Sequence, residues 1–288
     1  MMNRGFPVQR GFTLVEMIVV IVITGIIGGM VAIFIRSPIQ GYVDSARRAE
    51  MTDIADSALQ RITRDLRTAL PNSVRLTTVS GSQYLEFLPI TGGGRYRIGT
   101  PGNILDFSSA TDSSFDVLGP VVTANAGDFL VIYNLGIASG GNCNPAAGAV
   151  GLDAYEGCNR RTVVSGGSAI TFTPTAYPFP FDSPGHRFMI VGAPVTYVCS
   201  PATSGSDGSG TLMRYWGYAI NAAQPTSLAT LTSVNAGAEL ASKVSACSFT
   251  YDPDVVSQRF GLVTMRLGIQ ESGESINLYE ATHVSNEP

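Results

Sequence analysis

Residues 12–35 read FTLVEMIVVIVITGIIGGMVAIFI, 24 residues without a single Lys or Arg. At about 1.5 Å rise per residue this run makes a helix of roughly 36 Å, enough to cross the hydrocarbon core of a bilayer. Its one charged residue is Glu16. A carboxylate at such a depth costs about 3 kcal/mol on insertion scales, so it marks a function or a partner unless the run is an ordinary signal anchor with a stray acid. The run starts abruptly after Gln9-Arg10-Gly11.

Composition bounds the rest of the chain. It has 288 residues in all, of which only 14% are charged, and Gly, Ser, Thr and Asn are abundant. That suits an exported, turn-rich β structure better than a cytosolic enzyme, and it leaves room for one large or two small folded units. The net charge of −4 gives no global basic character, so nucleic acid is not expected as a partner. All four cysteines lie beyond residue 140. In an oxidising compartment they pair, and four cysteines allow three pairings that sequence alone does not separate. The favoured pairing is Cys143 with Cys158 and Cys199 with Cys247. The first closes a short Gly/Asn/Pro/Ala loop that packs poorly unaided, a closure worth about 3 kcal/mol in the loop-entropy model. With no CxxC and only His186 and His283 as imidazoles, no metal is expected.

Gly11-Phe12-Thr13-Leu14-Val15-Glu16 resembles the class III leader junction of type IV prepilins and type II secretion pseudopilins. The resemblance implies that a membrane prepilin peptidase cuts between Gly11 and Phe12 and methylates the new N-terminal phenylalanine. Glu16 then becomes the fifth mature residue. Residues 1–11 form the leader, with Arg4 and Arg10 and no acid. An ordinary secretory signal discards its apolar region, whereas this one keeps it. Residues 12–35 are then a transmembrane and assembly helix, 36–71 its amphipathic continuation and 72–288 a periplasmic β-rich head with disulfide loops. The fold class is α+β and pilin-like, a long N-terminal helix followed by an antiparallel β-rich head. The implied partners are other pilins and minor pilins through the N-terminal helix, prepilin peptidase, the inner-membrane assembly platform and the inner membrane itself. The implied location is the inner membrane, single-pass with a periplasmic head, and then an extracellular pilus. Glu16 has a physical role in this reading, because its carboxylate can pair with the new amine of Phe12 when helices stagger.

Ser37-Pro38 is expected to interrupt the helix, which resumes to about Ala69 and ends at Pro71-Asn72. Ile54, Ala58, Ile62 and Leu66, with Ala55 and Leu59 alongside, form one apolar stripe. Beyond Ser73 the period changes to two. Strands are expected at 73–79, 83–88, 95–98 and 128–135, with Thr91-Gly92-Gly93-Gly94 as a hairpin turn. A long cysteine-bearing loop at 136–160, a hairpin at 162–173 and an irregular Pro/aromatic connection at 174–185 follow. Strands at 187–191, 195–199, 211–220, 246–251, 260–269 and 275–284 close the chain, with a flexible tip at 200–210. Asp207 in that tip lacks the alternating oxygen ligands of a calcium loop. Trp216 is expected in the core, and Gly261, Val263, Met265, Leu267 and Ile269 share one buried strand face.

The resemblance continues in Gln60 to Arg75 (QRITRDLRTALPNSVR), in Gly93-Gly94-Arg95-Tyr96-Arg97 and in the tail from His283 to Pro288 (HVSNEP). These are similar to the O-type minor pilin of the mannose-sensitive haemagglutinin (MSHA) pilus, akin to J-type pseudopilins. The stretch from about 110 to 240 is not covered and reads as an insertion. The resemblance implies a low-abundance subunit that initiates or caps a pilus. The alternatives are a J-type pseudopilin of a type II secretion system, or a tip adhesin that binds a ligand through 174–181 and the loop at 143–158. No G-x-S-x-G, H-E-x-x-H or phosphate-binding loop is present. No enzymatic activity and no cofactor are expected.

Overall fold

The computed structural model describes residues 11–148, 150–232, 237–256 and 259–288. Of the leader, residues 1–10 lie outside these. Two compact units divide at Glu50 and Met51.

Helix α1 spans Leu14–Leu66, with Pro38 inside it. The interruption expected at Ser37-Pro38 does not occur. An interior proline removes only one donor and crowds one carbonyl, and the flanking turns keep their own hydrogen bonds. The helix also ends three residues before Ala69. There the backbone finds other partners: Ile90 N donates to the Thr68 carbonyl and Leu70 N to the Leu88 carbonyl, each at 2.7 Å.

The second unit opens with the last turns of α1, where Met51, Ala55, Ala58, Leu59, Ile62 and Leu66 are buried. They pack on a seven-stranded antiparallel sheet through Leu85, Phe87, Tyr197, Leu212, Phe249 and Met265. The chain first lays down β1 (Arg75–Val79) and β2 (Ser82–Phe87). It then leaves the sheet for β3 (Ile90–Tyr96), β4 (Ser114–Leu118), β5 (Phe129–Ile132), β6 (Arg160–Ser165), β7 (Ala169–Phe172) and β8 (Arg187–Val191). These six strands close into a barrel in the order β3-β4-β7-β6-β5-β8. Closure leaves no free strand edge, and the interior is filled by side chains, among them Tyr96, Phe115, Leu130, Phe172, Phe188 and Ile190. Between β2 and β9 the chain thus builds a separate closed barrel over 90–191, which overlaps only part of the stretch 110–240 read as an insertion.

The run Thr91 to Gly94 is the middle of β3, not a hairpin turn. Glycine is needed there for close approach: a Cβ on Gly93 would sit 3.0 Å from the Phe188 carbonyl oxygen, and one on Gly94 3.1 Å from the Phe188 ring.

After the barrel the chain returns as β9 (Val195–Ser200), paired to β2. The expected flexible tip at 200–210 is a small hairpin of β10 (Thr203–Ser204) and β11 (Asp207–Gly208), pinned where Ser272 N donates to Asp207 Oδ1. Then come β12 (Gly210–Trp216), the short α2 (Leu228–Thr232), β13 (Ala238–Val256), β14 (Phe260–Glu271) and β15 (Glu274–Ser285). The sheet order is β1-β2-β9-β12-β13-β14-β15. Gly261, Val263, Met265, Leu267 and Ile269 on β14 are all buried. Trp216 is not core: it closes β12 at 36% exposure, with the Arg214 guanidinium 5.0 Å from its ring centroid.

Candidate functional site

The first turn of α1 is built from Thr13 and Glu16. Thr13 precedes the helix and its Oγ1 accepts a hydrogen bond from Glu16 N at 3.3 Å. Thr-x-x-Glu is the capping-box spacing, and it gives one of the four orphan amides of a helix start a partner. That spacing is a signal in the sequence itself, and it gives the Thr13–Glu16 pair a local structural reason of its own. An acid in the first turn also lies at the favourable end of the helix dipole.

Phe12 is 85% exposed, and the large apolar side chains from Leu14 to Ile35 are exposed as well. The helix is long and apolar enough to cross a membrane, and none of its apolar window is buried. Deeper in the span, the Thr24 hydroxyl donates to the Val20 carbonyl at 2.6 Å, so it presents no unsatisfied donor to lipid. Among the described residues no cation pairs with the Glu16 carboxylate.

Residues 7–32 match the family model of the prokaryotic N-terminal methylation motif. The match supports a type IV pilin-like or pseudopilin protein, processed by prepilin peptidase and assembling with other pilins. It contains Gly11, Phe12 and Glu16, and with the exposed apolar helix it fits an inner-membrane anchor. It ends before the β-rich head begins. No curated protein and no solved structure matches the chain.

In the head, the cysteines form Cys143–Cys158 and Cys199–Cys247, with Cα separations of 5.0 and 6.5 Å. Among the described residues no group of His, Cys, Asp and Glu could hold a metal ion. The two histidines sit in separate settings. His186 Nδ1 lies 3.3 Å from Asp182 Oδ1, an oxygen that also accepts from the Tyr96 hydroxyl, and His283 packs edge-on to Phe260.

Two buried polar clusters hold the head together. Asp65 Oδ2 accepts from the Tyr197 hydroxyl at 2.7 Å and from Arg214 Nε at 2.9 Å. The buried Glu86 accepts from Arg75 Nε and from the Tyr218 hydroxyl, and the same Arg75 guanidinium lies 3.6 Å from the Tyr155 ring centroid. Burial raises the Glu86 pKa above its ordinary value, opposed by the Arg75 hydrogen bond and charge.

The loop at 143–158 and the Pro/aromatic connection meet in space. Cys143, Cys158, Thr175 and Tyr177 line one cavity of about 470 Å³, together with Arg161. No sequence motif singles out Arg161.

Proposed function

We propose that this protein is a minor type IV pilin of the MSHA type, which helps initiate or cap a pilus after prepilin peptidase cleaves between Gly11 and Phe12. The supporting observation is the methylation motif at 7–32 together with the exposed apolar helical stretch from Leu14 to Ile35, whose one acid has no cation partner among the described residues. Cleavage frees an amine on Phe12, four residues before Glu16. In a stack of staggered helices, that amine on one subunit is a partner for the carboxylate on the next. Leaving either group unpaired in lipid costs about 3–5 kcal/mol, so only the paired register is stable. Assembly then follows from a charge that is satisfied only by a neighbour.

The head favours a rare subunit over a shaft subunit. A six-stranded barrel added beside a seven-stranded sheet is bulk that a tightly wound filament has little room to repeat. A cap or primer at the extracellular tip of the pilus has that room. A J-type pseudopilin of a type II secretion system is the second reading, because the same motif serves both machines. Cells lacking the protein decide between them. Loss of pili with normal secretion supports the pilus role, and loss of secretion with normal pili replaces it by the second reading. Normal incorporation of a Glu16→Ala protein would count against the pairing mechanism.

A further inference from the structure

Arg161 on β6 is only 4% exposed. Its Nη1 donates to the carbonyls of Cys158 at 3.0 Å and Arg160 at 2.8 Å, and its Nη2 to the carbonyl of Tyr177 at 2.8 Å. The guanidinium lies 4.2 Å from the Phe179 ring centroid. Carbonyl dipoles and a ring face solvate a cation, but they bring no negative charge. The one acid lining the same cavity, Glu156, stays ionised but is held by backbone amides rather than paired with Arg161: its Oε2 accepts from Ser139 N at 2.7 Å and its Oε1 from Gly140 N at 2.9 Å, and these bonds outweigh desolvation and lower its pKa. Burial pulls the Arg161 pKa down to about 10, and no neighbouring carboxylate opposes the shift.

A buried cation without a counter-charge costs several kcal/mol, and a protein that keeps one open to a cavity has a use for an anion. The three carbonyls take three of the five guanidinium N–H groups, leaving two for a ligand. The cavity, about 470 Å³, is of ligand size. The rest of its lining is uncharged: beside glycine, alanine and the cystine it holds the Asn144 amide, whose Oδ1 accepts from Ala146 N while its NH2 remains a donor, the Thr175 hydroxyl, which donates to the Tyr177 carbonyl and keeps acceptor lone pairs, and Tyr177, 37% exposed. Amides and a hydroxyl match sugar hydroxyls, and an aromatic face matches the C–H face of a sugar ring. A single guanidinium matches one carboxylate better than a multiply charged phosphate.

We propose that this cavity binds an acidic saccharide, with Arg161 holding the carboxylate and Tyr177 packing on the ring. The site is independent of the assembly helix, so it survives or fails apart from the pilin reading. The probes are glucuronate, glucose and inorganic phosphate, titrated by NMR into the full chain in detergent micelles. Glucuronate is expected to shift resonances of the 141–161 and 175–177 segments saturably, with glucose and phosphate about tenfold weaker or more. Arg161→Gln and Tyr177→Ala are each expected to weaken glucuronate by about tenfold or more. Arg161 also ties two segments together, so its variant is scored only if both disulfides form. Tyr177→Ala keeps the carbonyl that Arg161 needs and decides alone otherwise. No saturable shift at glucuronate concentrations on the order of 10 mM would overturn the proposal. So would equal binding of glucose or phosphate, or unchanged binding by the Tyr177 variant.

Discussion

Leu85 and Tyr197 are direct partners across β2 and β9, and the whole six-stranded barrel is spliced into the chain between them. Two sheet neighbours thus stay paired across an excursion that closes on itself. Joining Phe87 to Val195 through a two-residue Asn-Gly turn is therefore expected to leave a folded sheet. Circular dichroism and mass spectrometry of the Cys199–Cys247 bond are the checks. Stability falls, because Leu70 loses Leu88, Val131, Ala154, Tyr155 and Val191 as cover, at about 2 kcal/mol for the newly exposed leucine. An unfolded product would mean that the sheet depends on the barrel.

The two disulfides close loops of different length, with sequence separations of 15 and 48 residues. The loop-entropy relation gives about 3 kcal/mol for the first and about 4 kcal/mol for the second. Removing Cys199–Cys247 is expected to cost more for a second reason, since Cys199 is fully buried in the helix–sheet core. Urea unfolding of the two double Cys→Ser variants measures both. A larger loss from the Cys143/Cys158 variant would contradict this ranking.

The parts legible in the sequence are those where one periodicity acts alone. The face from Gly261 to Ile269 is buried because strict alternation over a paired strand leaves no other choice. The apolar stripe from Ala55 to Leu66 is equally plain. The barrel is not legible, because the glycines of β3 mimic a turn and serve close packing instead. The β2–β9 pairing is non-local, and no local pattern reports it. The first half of β13, Ala238 to Ser245, lacks apolar alternation and gives no strand signal. Trp216 misleads because size alone suggests burial, while its place at the end of β12 leaves it beside Arg214 and solvent. The methylation motif that contains Gly11, Phe12 and Glu16 is readable from their spacing, whereas Arg161 stands out only through its burial.

Glu86 gives the head a pH dependence with a definite sign. Burial raises its folded pKa above the ordinary 4.5, so the folded state holds that proton more tightly than the unfolded chain does. Its contribution is fully present below pH 4.5 and is lost as pH rises through the folded value. Glu86→Gln is expected to flatten the fall in unfolding free energy across that window. The variant is also less stable overall, because Arg75 loses its counter-charge. The slope, from denaturant melts at a series of pH values, is the readout, and an unchanged slope would refute the assignment.

Asp65 ties the last helical turn to the sheet through Tyr197 and Arg214, with Arg61 Nε 3.2 Å from its other oxygen. Asp65→Ala leaves the Tyr197 hydroxyl and the Arg214 guanidinium without their acceptor and is expected to cost about 2–3 kcal/mol. Asp65→Asn keeps one acceptor and is expected to cost less. Thermal melts of the two variants against wild type test the order, and equal melting temperatures would show that Asp65 is only a surface charge.

In the proposed function, processing turns an exposed apolar helix carrying one acid, Glu16, into an assembly unit. Intact-mass and N-terminal analysis of the protein from cells with working pili tests this most directly. A chain beginning at N-methylated Phe12 is the expected result. A chain that still begins at Met1 or Met2 in cells whose pili assemble normally would contradict the account.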